Sequence, residues 1–352
     1  MMENSNAYLR LLRAAEEVSG ILSKDLGDNL VASYVYGSVA RGDCRESSDV
    51  DLHIVLSDYA QAKDVPHRKW VRNVQVDISP HPLSFYKTTP EWLLENINIV
   101  AGWEGLWEMA KIIVLYDPDN LVSSFREKIT PVLNSKPLLK ARANISFKAA
   151  MTEVAKVKKE LSEGALDQAL CYMYSLGGGG DEYSGAAVHV LKTVVKFSGL
   201  PLTTSRIWLR FKEACHKLNA PNLQNLMEHC YGMDQPDQRG PQDVVGEACH
   251  LADEVARSPV PEETKHGIER FKLAVAEYMK KGEIEAAHVF ILGRFSSTHL
   301  ELSSERWQKQ AHLKLQELLF KTAGLRSQRE LEDRMRAMLE AMNNIEKEML
   351  SC

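Results

Sequence analysis

The stretch from Tyr36 to Leu52 constrains the fold of this chain more than any other. It follows a short run of β-branched and aromatic residues, 31–36, that predicts a buried strand ending at a glycine. Gly37 and Ser38 then predict a sharp turn into a short helix. The free backbone N–H groups and the positive dipole end of such a turn suit a phosphate.

Two carboxylates at the start of a second predicted strand, 50–56, face the same way. Residues i and i+2 of a strand lie on one face of a sheet, so Asp49 and Asp51 point to the same side. Such a pair can chelate Mg²⁺, a hard cation that takes oxygen ligands from the protein and from substrate phosphates. A phosphate-binding turn beside a carboxylate pair is the minimum that metal-assisted nucleotidyl transfer requires.

This pattern resembles the signature of the DNA polymerase β-like nucleotidyltransferase superfamily. The chain has Gly-Ser, ten further residues and then Asp-x-Asp. The fuller string, Gly-Ser-x-Ala-Arg-Gly followed by Ser-Asp-x-Asp-Leu, is most similar to the small bacterial members, including the aminoglycoside and the minimal nucleotidyltransferases. The resemblance covers about the first third of the chain. It implies an α+β fold, in which a small mixed-sheet nucleotidyltransferase domain precedes a larger all-helical domain.

The family pattern also includes a third carboxylate on a later strand, and Asp77 matches it. Three apolar residues alternate with three polar ones along the predicted strand 74–79. This alternation places Asp77 on the polar face. The resemblance implies that Asp49, Asp51 and Asp77 are the catalytic and metal-binding residues, and that Asp77 assists deprotonation of the acceptor hydroxyl. The alternative for Asp77 is a solvated aspartate on a strand.

The resemblance assigns the other site residues to the nucleotide. Gly37 and Ser38 would hold the terminal phosphates of a nucleoside triphosphate, with ATP as the first choice and two Mg²⁺ ions as the cofactor. Arg41 lies about one helical turn after Ser38. It would either face a phosphate or form a salt bridge with Asp43 or Glu46.

The acceptor and the general base are left open. A small hydroxylated molecule of the aminoglycoside type is the first prediction, which would make the chain an antibiotic-resistance enzyme. The alternatives are a synthase that joins nucleotides into cyclic products, a toxin-type enzyme acting on tRNA or protein, and a non-catalytic nucleotide-binding module. Some relatives recruit a glutamate as general base, and the candidates here are Glu104, Glu108, Glu153 and Glu182.

Length and charge limit the remaining possibilities. A chain of 352 residues holds two or three domains, for which we predict the divisions 1–118, 119–257 and 258–352. A fourth predicted strand, beginning at Ile112, closes the first of them. The net charge of -5 argues against extended nucleic-acid binding. The chain lacks an apolar run of about 18 residues, so no membrane span is expected.

The six cysteines form no C-x-x-C pair, and charged residues interrupt any apolar start, so reduced thiols in a cytoplasmic protein are expected. Three Cys/His pairs between 215 and 250 fit no familiar zinc module, and scattered helical residues are favoured over a zinc site.

Several shorter segments receive individual predictions. The basic stretch 67–72 is predicted to be a loop face or a triphosphate contact. The four glycines at 177–180 favour a loop, and the stretch 231–242 is also predicted to be a loop. Predicted helices cover 306–319 and 328–350, and the apolar stripe of the second packs within the chain or forms a homodimer.

Overall fold

The structure, a computed structural model, describes the greater part of the chain. The described residues are 3–46, 48–176, 184–234, 246, 249–250, 253, 262–304, 316, 319–320, 322–325 and 327–351. They form two compact units, Met1–Leu138 and Leu139–Cys352. The division into 1–118, 119–257 and 258–352 stays a prediction. The glycine run 177–180, Glu182, most of the predicted loop 231–242 and most of the predicted helix 306–319 lie outside the described residues.

The first unit is built on a five-stranded mixed sheet. Its strands are β1 (Leu30–Tyr36), β2 (Val50–Leu56), β3 (Arg68–Val71), β4 (Val74–Pro82) and β5 (Ile113–Tyr116). They lie in the order β3-β4-β2-β1-β5. Strands β2 and β4 are parallel, and the other neighbouring pairs are antiparallel. All four strands predicted from the sequence are present, and β3 is an addition to them.

Strand β3 belongs to a tight hairpin that the sequence conceals. Val71 pairs with Val74, so only Arg72 and Asn73 form the turn. Both have positive φ angles, 53° and 60°, as a two-residue hairpin turn of the primed type requires. The usual signal for such a turn is Asn-Gly or Asp-Gly, and an arginine in its first position hides it. The stretch 67–72 is therefore largely strand rather than loop.

Six helices flank the sheet: α1 (Glu3–Leu26), α2 (Gly37–Arg41), α3 (Pro90–Glu95), α4 (Ile97–Val100), α5 (Glu104–Glu108) and α6 (Leu121–Leu133). Local capping fixes where two of them begin. Thr89 accepts the Trp92 N–H at the start of α3, and Asp117 accepts the N–H groups of Val122 and Ser123 at the start of α6. Helix α6 lies within the first unit, beyond the boundary predicted near Pro118.

The two faces of the sheet have separate apolar cores. Helix α1 packs on the face that carries Val35, Leu52 and Ile78. The opposite face carries Ala32, Tyr34 and Val55, and a second cluster packs there, which includes Tyr86, Leu93, Leu106, Phe125 and Ile129. Because side chains alternate along a strand, each strand residue next to one of these apolar residues points to the opposite face of the sheet.

The second unit is helical wherever the structure describes its regular elements. Beginning with α7 (Lys136–Ser162), which crosses the unit boundary, its helices are α8 (Leu166–Tyr174), α9 (Ala186–Phe197), α10 (Ile207–Lys217), α11 (Pro221–Cys230), α12 (Glu262–Lys280), α13 (Ile284–Ser304) and α14 (Gln328–Ile345), the last followed by a π-helical turn, Glu346–Leu350. The predicted fold class, a mixed-sheet domain followed by a larger helical one, is confirmed.

The apolar stripe of α14 lies in the core of the second unit. Leu331, Met338, Met342 and Ile345 are buried there among residues of the other helices. A homodimer through the C-terminal helices stays a prediction. In the described part of the chain, none of the helices combines the length and apolar character needed to cross a membrane.

Candidate active site

Glycines with positive φ angles stand at both ends of α2, the short helix that directly follows β1. Gly37 has φ +71° and begins α2, and Gly42 has φ +73° and ends it. Ser38 is the second residue of the helix, and its carbonyl accepts the N–H of Asp43 at 3.0 Å. The predicted strand, turn and short helix are therefore all present. The nucleotide-binding roles of Gly37, Ser38 and Arg41 stay predictions.

Gly37 also lies directly against Asp51. A Cβ atom added to Gly37 would stand 2.2 Å from the Oδ2 atom of Asp51, well inside van der Waals contact. The absence of a side chain is therefore required twice, once by the positive φ angle and once by the carboxylate. This close approach places the predicted phosphate-binding turn and the predicted metal ligand side by side.

The three predicted carboxylates converge on one edge of the sheet. Asp51 on β2 stands in register with Asp77 on the parallel strand β4, and with Tyr36 on the antiparallel strand β1. Asp49 directly precedes β2. Burial, followed by the charges of Asp49, Asp77 and Glu108, raises the pKa of Asp51 to about 7. Asp51 is therefore a desolvated carboxylate among other carboxylates.

Asp77 has a hydrogen-bond donor on each of its oxygens. Arg68 Nε donates to Oδ1 at 2.6 Å, and Gln75 Nε2 donates to Oδ2 at 2.9 Å. Gln75 is buried and shares the face of Asp77, whereas the Arg68 side chain is 54% exposed. Asp77 lies on the polar face, as the alternation in the sequence predicts, but its oxygens are already engaged by the protein.

Arg41 is held by carboxylates within the first unit. Its NH1 atom donates to Glu108 Oε2 at 2.7 Å, and its Nε atom lies 3.4 Å from Asp43 Oδ1. Glu46, the other predicted partner, pairs with Arg10 instead. Only 7% of the Arg41 side chain is exposed, so its guanidinium is a fixed cation near Asp51, where it lowers the pKa of that carboxyl.

Glu108 is the candidate base that the structure brings to the carboxylates. Its charge raises the pKa values of both Asp51 and Tyr36. Glu104 lies one helical turn away on the same helix, α5. Glu153, in the second unit, pairs with Lys156 at 2.6 Å, and Glu182 lies outside the described residues. Because Glu108 is also bound to Arg41, its negative charge also holds the Arg41 guanidinium in place.

A row of aromatic rings continues from the carboxylates along the same face. The rings of Tyr36 and His53 lie 3.7 Å apart between centroids, and those of His53 and His81 lie 4.2 Å apart. The Tyr34 hydroxyl is hydrogen-bonded to His53 Nδ1 at 2.8 Å and to the Tyr86 hydroxyl at 2.7 Å. Burial lowers the pKa values of both histidines, and His81 adds to this effect at His53.

The sequence interpretation missed these ring residues. Counting in twos from Asp51 and Asp77 would have found His53, Ser79 and His81, because alternate residues of a strand share a face. Tyr36 required the pairing of β1 with β2, which the sequence does not supply.

The carboxylates fit a divalent cation in their chemistry and their strand positions. Hard cations prefer carboxylate oxygens, and Asp51 is surrounded by the negative charges that a cation would neutralise. As the side chains stand, no three His, Cys, Asp or Glu residues of the described part are grouped so as to hold a metal ion.

The Cys/His pairs between 215 and 250 belong to the second unit. Cys215 and Cys230 are buried in its core, and His229 pairs with Asp234 at 2.6 Å. These contacts give the residues packing and hydrogen-bonding roles there.

The part of the chain that contains these residues is similar to known proteins. Residues 16–96 match the family model described as Polymerase beta, Nucleotidyltransferase, and this range includes all six predicted site residues. The chain is also similar to a protein of Methanocaldococcus jannaschii named "Putative protein adenylyltransferase". The identity is 26% over 125 residues, and the match covers 32% of this chain and 76% of that protein. The predicted enzyme class, nucleotidyltransferase, is confirmed.

The chain is also similar to a solved structure. It is the crystal structure of a nucleotidyltransferase-like protein from Exiguobacterium sibiricum 255-15, with 11% identity and a TM-score of 0.35. The match covers 88% of this chain and 92% of that one. A likeness at this level bears on neither the substrate nor the partners.

Proposed function

We propose that this nucleotidyltransferase moves a nucleoside monophosphate group from a nucleoside triphosphate, with ATP as the first candidate, to a hydroxyl of an acceptor. The observation that carries the proposal is the contact between the Gly37 turn and the carboxylate of Asp51, beside Asp77 on the next strand. This contact combines a turn suited to phosphate with clustered carboxylates, within the part of the chain that matches the nucleotidyltransferase family model.

Asp49, Asp51 and Asp77 would hold two Mg²⁺ ions. Bound there, the ions would neutralise the triphosphate and the charge that develops during transfer. This assignment is supported by the type of the donors and by their positions on neighbouring strands. It also gives a use to a carboxyl of raised pKa that lies beside the other two aspartates and Glu108.

The protein's own groups perform the positioning. The backbone N–H groups at Gly37 and Ser38 would bind the terminal phosphates, and the missing side chain at Gly37 lets a phosphate approach the backbone. Arg41, fixed by Glu108 at 2.7 Å, would add positive charge beside those phosphates. A cation held in place before the substrate binds loses little side-chain entropy on binding.

The proposed transfer step is an in-line displacement at the α-phosphorus. The acceptor oxygen forms a bond to the α-phosphorus while the bond from that phosphorus to the bridging oxygen of the β-phosphate breaks. Pyrophosphate leaves with the electron pair, and the hydroxyl proton passes to a carboxylate, for which Asp77 is the first candidate. Alignment of the two substrates supplies much of the rate.

Two acceptors have a specific observation in their favour. A side-chain hydroxyl of a protein is favoured by the name of the Methanocaldococcus jannaschii relative. A small hydroxylated molecule of the aminoglycoside type is favoured by the Gly-Ser-x-Ala-Arg-Gly string and by the helical second unit. The reaction at phosphorus is the same for both, so the acceptor is decided by experiment.

The first experiment measures Mg²⁺-dependent pyrophosphate release from each nucleoside triphosphate. Each is tested alone, with an aminoglycoside panel, and with a cell extract in which labelled nucleotide on protein is followed by gel. Release only with an aminoglycoside identifies a small-molecule acceptor, and label on a protein band identifies a protein acceptor. Release from nucleotides alone, without labelled protein, points to nucleotide joining.

Two aspartate variants make the experiment specific to the site. Asp49→Asn removes a proposed metal ligand, whereas Asp64→Asn changes an exposed aspartate of the same unit. We expect release to be lost in the first and retained in the second. Equal turnover in both would refute the catalytic assignment. Tight binding of a non-hydrolysable nucleotide without turnover under any condition would instead indicate a binding module.

A further inference from the structure

The pairing of Arg68 with Asp77 bears on how the site takes up a cation. Arg68 on β3 stands in register with Asp77 on β4, and its Nε atom lies 2.6 Å from Asp77 Oδ1. Gln75 donates to the other oxygen at 2.9 Å. The guanidinium therefore supplies the positive charge at the carboxylate that the proposed function assigns to a metal ion.

We propose that Arg68 competes with the divalent cation for Asp77 and thereby sets the affinity of the site for the ion. This inference rests on the proposed function, because it takes Asp77 to be a metal ligand. An ionised carboxylate has only acceptor sites. A guanidinium at 2.6 Å and a divalent ion on the same carboxylate would repel each other, so each weakens the binding of the other.

The geometry allows Arg68 to be displaced. Its side chain is 54% exposed, and β3 is at one end of the sheet order. Exposed ion pairs of this kind are weak, so a divalent ion can replace the guanidinium at modest cost. Gln75 is buried on the same strand as Asp77 and remains to hold the other oxygen in place. Arg68 is thus the adjustable partner and Gln75 the fixed one.

The same hairpin contains a matched control. Arg72, in its turn, donates from Nε to Glu17 Oε2 at 2.7 Å, and its side chain is 60% exposed. The two arginines therefore share charge, donor atom, bond length and exposure, but only Arg68 is bound to a proposed metal ligand. A general effect of positive charge on the hairpin would appear in variants of both residues.

The test measures metal affinity rather than turnover. Mn²⁺ is titrated calorimetrically into the full chain, without nucleotide, for the wild type and for Arg68→Gln, Arg68→Lys and Arg72→Gln. We expect Arg68→Gln to bind Mn²⁺ about two- to five-fold more tightly, the change that an exposed ion pair supports. Arg72→Gln should match the wild type, and Arg68→Lys should fall between.

A double-variant cycle separates direct competition from long-range repulsion. Competition predicts that Arg68→Gln has no effect on the residual Mn²⁺ affinity in an Asp77→Asn background, whereas long-range repulsion would leave its effect intact. Unchanged or weaker binding by Arg68→Gln alone overturns the inference while leaving the proposed function in place. Absence of Mn²⁺ binding by wild type and variants alike overturns the inference together with the metal assignment.

Discussion

The two faces of the sheet in the first unit are built from the same three strands and differ residue by residue. Val35, Leu52 and Ile78 face helix α1 and are fully or almost fully buried. Their immediate neighbours Tyr36, Asp51 and Asp77 face the other way and form the polar edge. The first face buries apolar surface, and the second holds charged groups close together beside its own apolar cluster.

The comparison shows why the polar face can be maintained. Burying Asp51 among other carboxylates is unfavourable, and burial, followed by the charges of its neighbours, raises the pKa of this carboxyl. The apolar face offsets this cost, because fully burying a side chain such as Leu52 contributes about 1.5–3 kcal/mol. It also fixes the register, since a slip of one residue would exchange the two faces.

The largest expected effects come from one substitution on each face. Asp51→Asn should lower nucleotidyl transfer by about 100-fold or more, because it removes a charge that acts at the reacting centre. Its neighbour Leu52 is completely buried, so Leu52→Ala should lower the free energy of unfolding by about 2–5 kcal/mol. Pyrophosphate release and urea unfolding measure the two quantities.

The assignment of catalysis to one face and of stability to the other depends on two further quantities, the stability of Asp51→Asn and the turnover of Leu52→Ala. Asp51→Asn should unfold no more easily than the wild type at neutral pH, and Leu52→Ala should keep its turnover per folded molecule. A large stability loss in Asp51→Asn would mean that the carboxylate serves the fold, and the comparison of faces would fail.

A smaller effect is expected from the glycine that touches Asp51. Gly37→Ala places a Cβ atom 2.2 Å from Asp51 Oδ2 at a φ angle of +71°. It should therefore displace the carboxylate and reduce turnover, in addition to a strain of about 1–3 kcal/mol. Gly42→Ala has nearly the same φ angle, +73°, with no atom within 4 Å of the new Cβ. It should show the strain alone, with little loss of turnover per folded molecule.

The pH dependence of stability should separate the faces further. The pKa of Asp51 is about 7 in the folded protein and about 4 in an unfolded chain. The folded state therefore holds the proton more tightly, and its stability falls as the pH rises from about 4 to about 7. Relative to the wild type, Asp51→Asn should gain stability over this window, by up to about 4 kcal/mol.

Urea unfolding of both proteins without Mg²⁺, at intervals between pH 4 and pH 8, measures this difference. Above pH 7 the difference should become constant. Asp64→Asn, a substitution at an exposed position, should give a curve of stability against pH that is parallel to that of the wild type. A constant difference between wild type and Asp51→Asn across the whole range would show that the carboxyl is not perturbed by its surroundings.

Much of the fold of the first unit was predictable from the sequence, because the sequence patterns that indicate its strands and turns are local. Alternation placed Asp51 and Asp77 on the polar face of their strands, and the strand 50–56 was predicted with the bounds that β2 has. The turn at Gly37 and the helical character of the second unit followed in the same way, from glycine and from 3.6-residue periodicity.

The contacts of the site were less predictable, because they depend on pairing between distant segments. Arg68 meets Asp77 only through a hairpin whose turn is Arg72-Asn73 rather than Asn-Gly or Asp-Gly. Glu108 meets Arg41 across 67 residues of sequence. No local pattern encodes such distances. The sequence could therefore propose Asp43 and Glu46 as salt-bridge partners of Arg41, but not Glu108.

The smallest predicted effect concerns a polar pair on the apolar face. Ser33 of β1 and Ser19 of α1 are buried, and their hydroxyl oxygens lie 2.7 Å apart. Ser33→Ala should cost about 1 kcal/mol, because it leaves the Ser19 hydroxyl buried without this partner, whereas replacing both with alanine should be nearly neutral. Turnover per folded molecule should not change in either case. If the double variant lost turnover while unfolding normally, the apolar face would have to contribute to the geometry of Asp51, and the two faces could no longer be treated as separate in function.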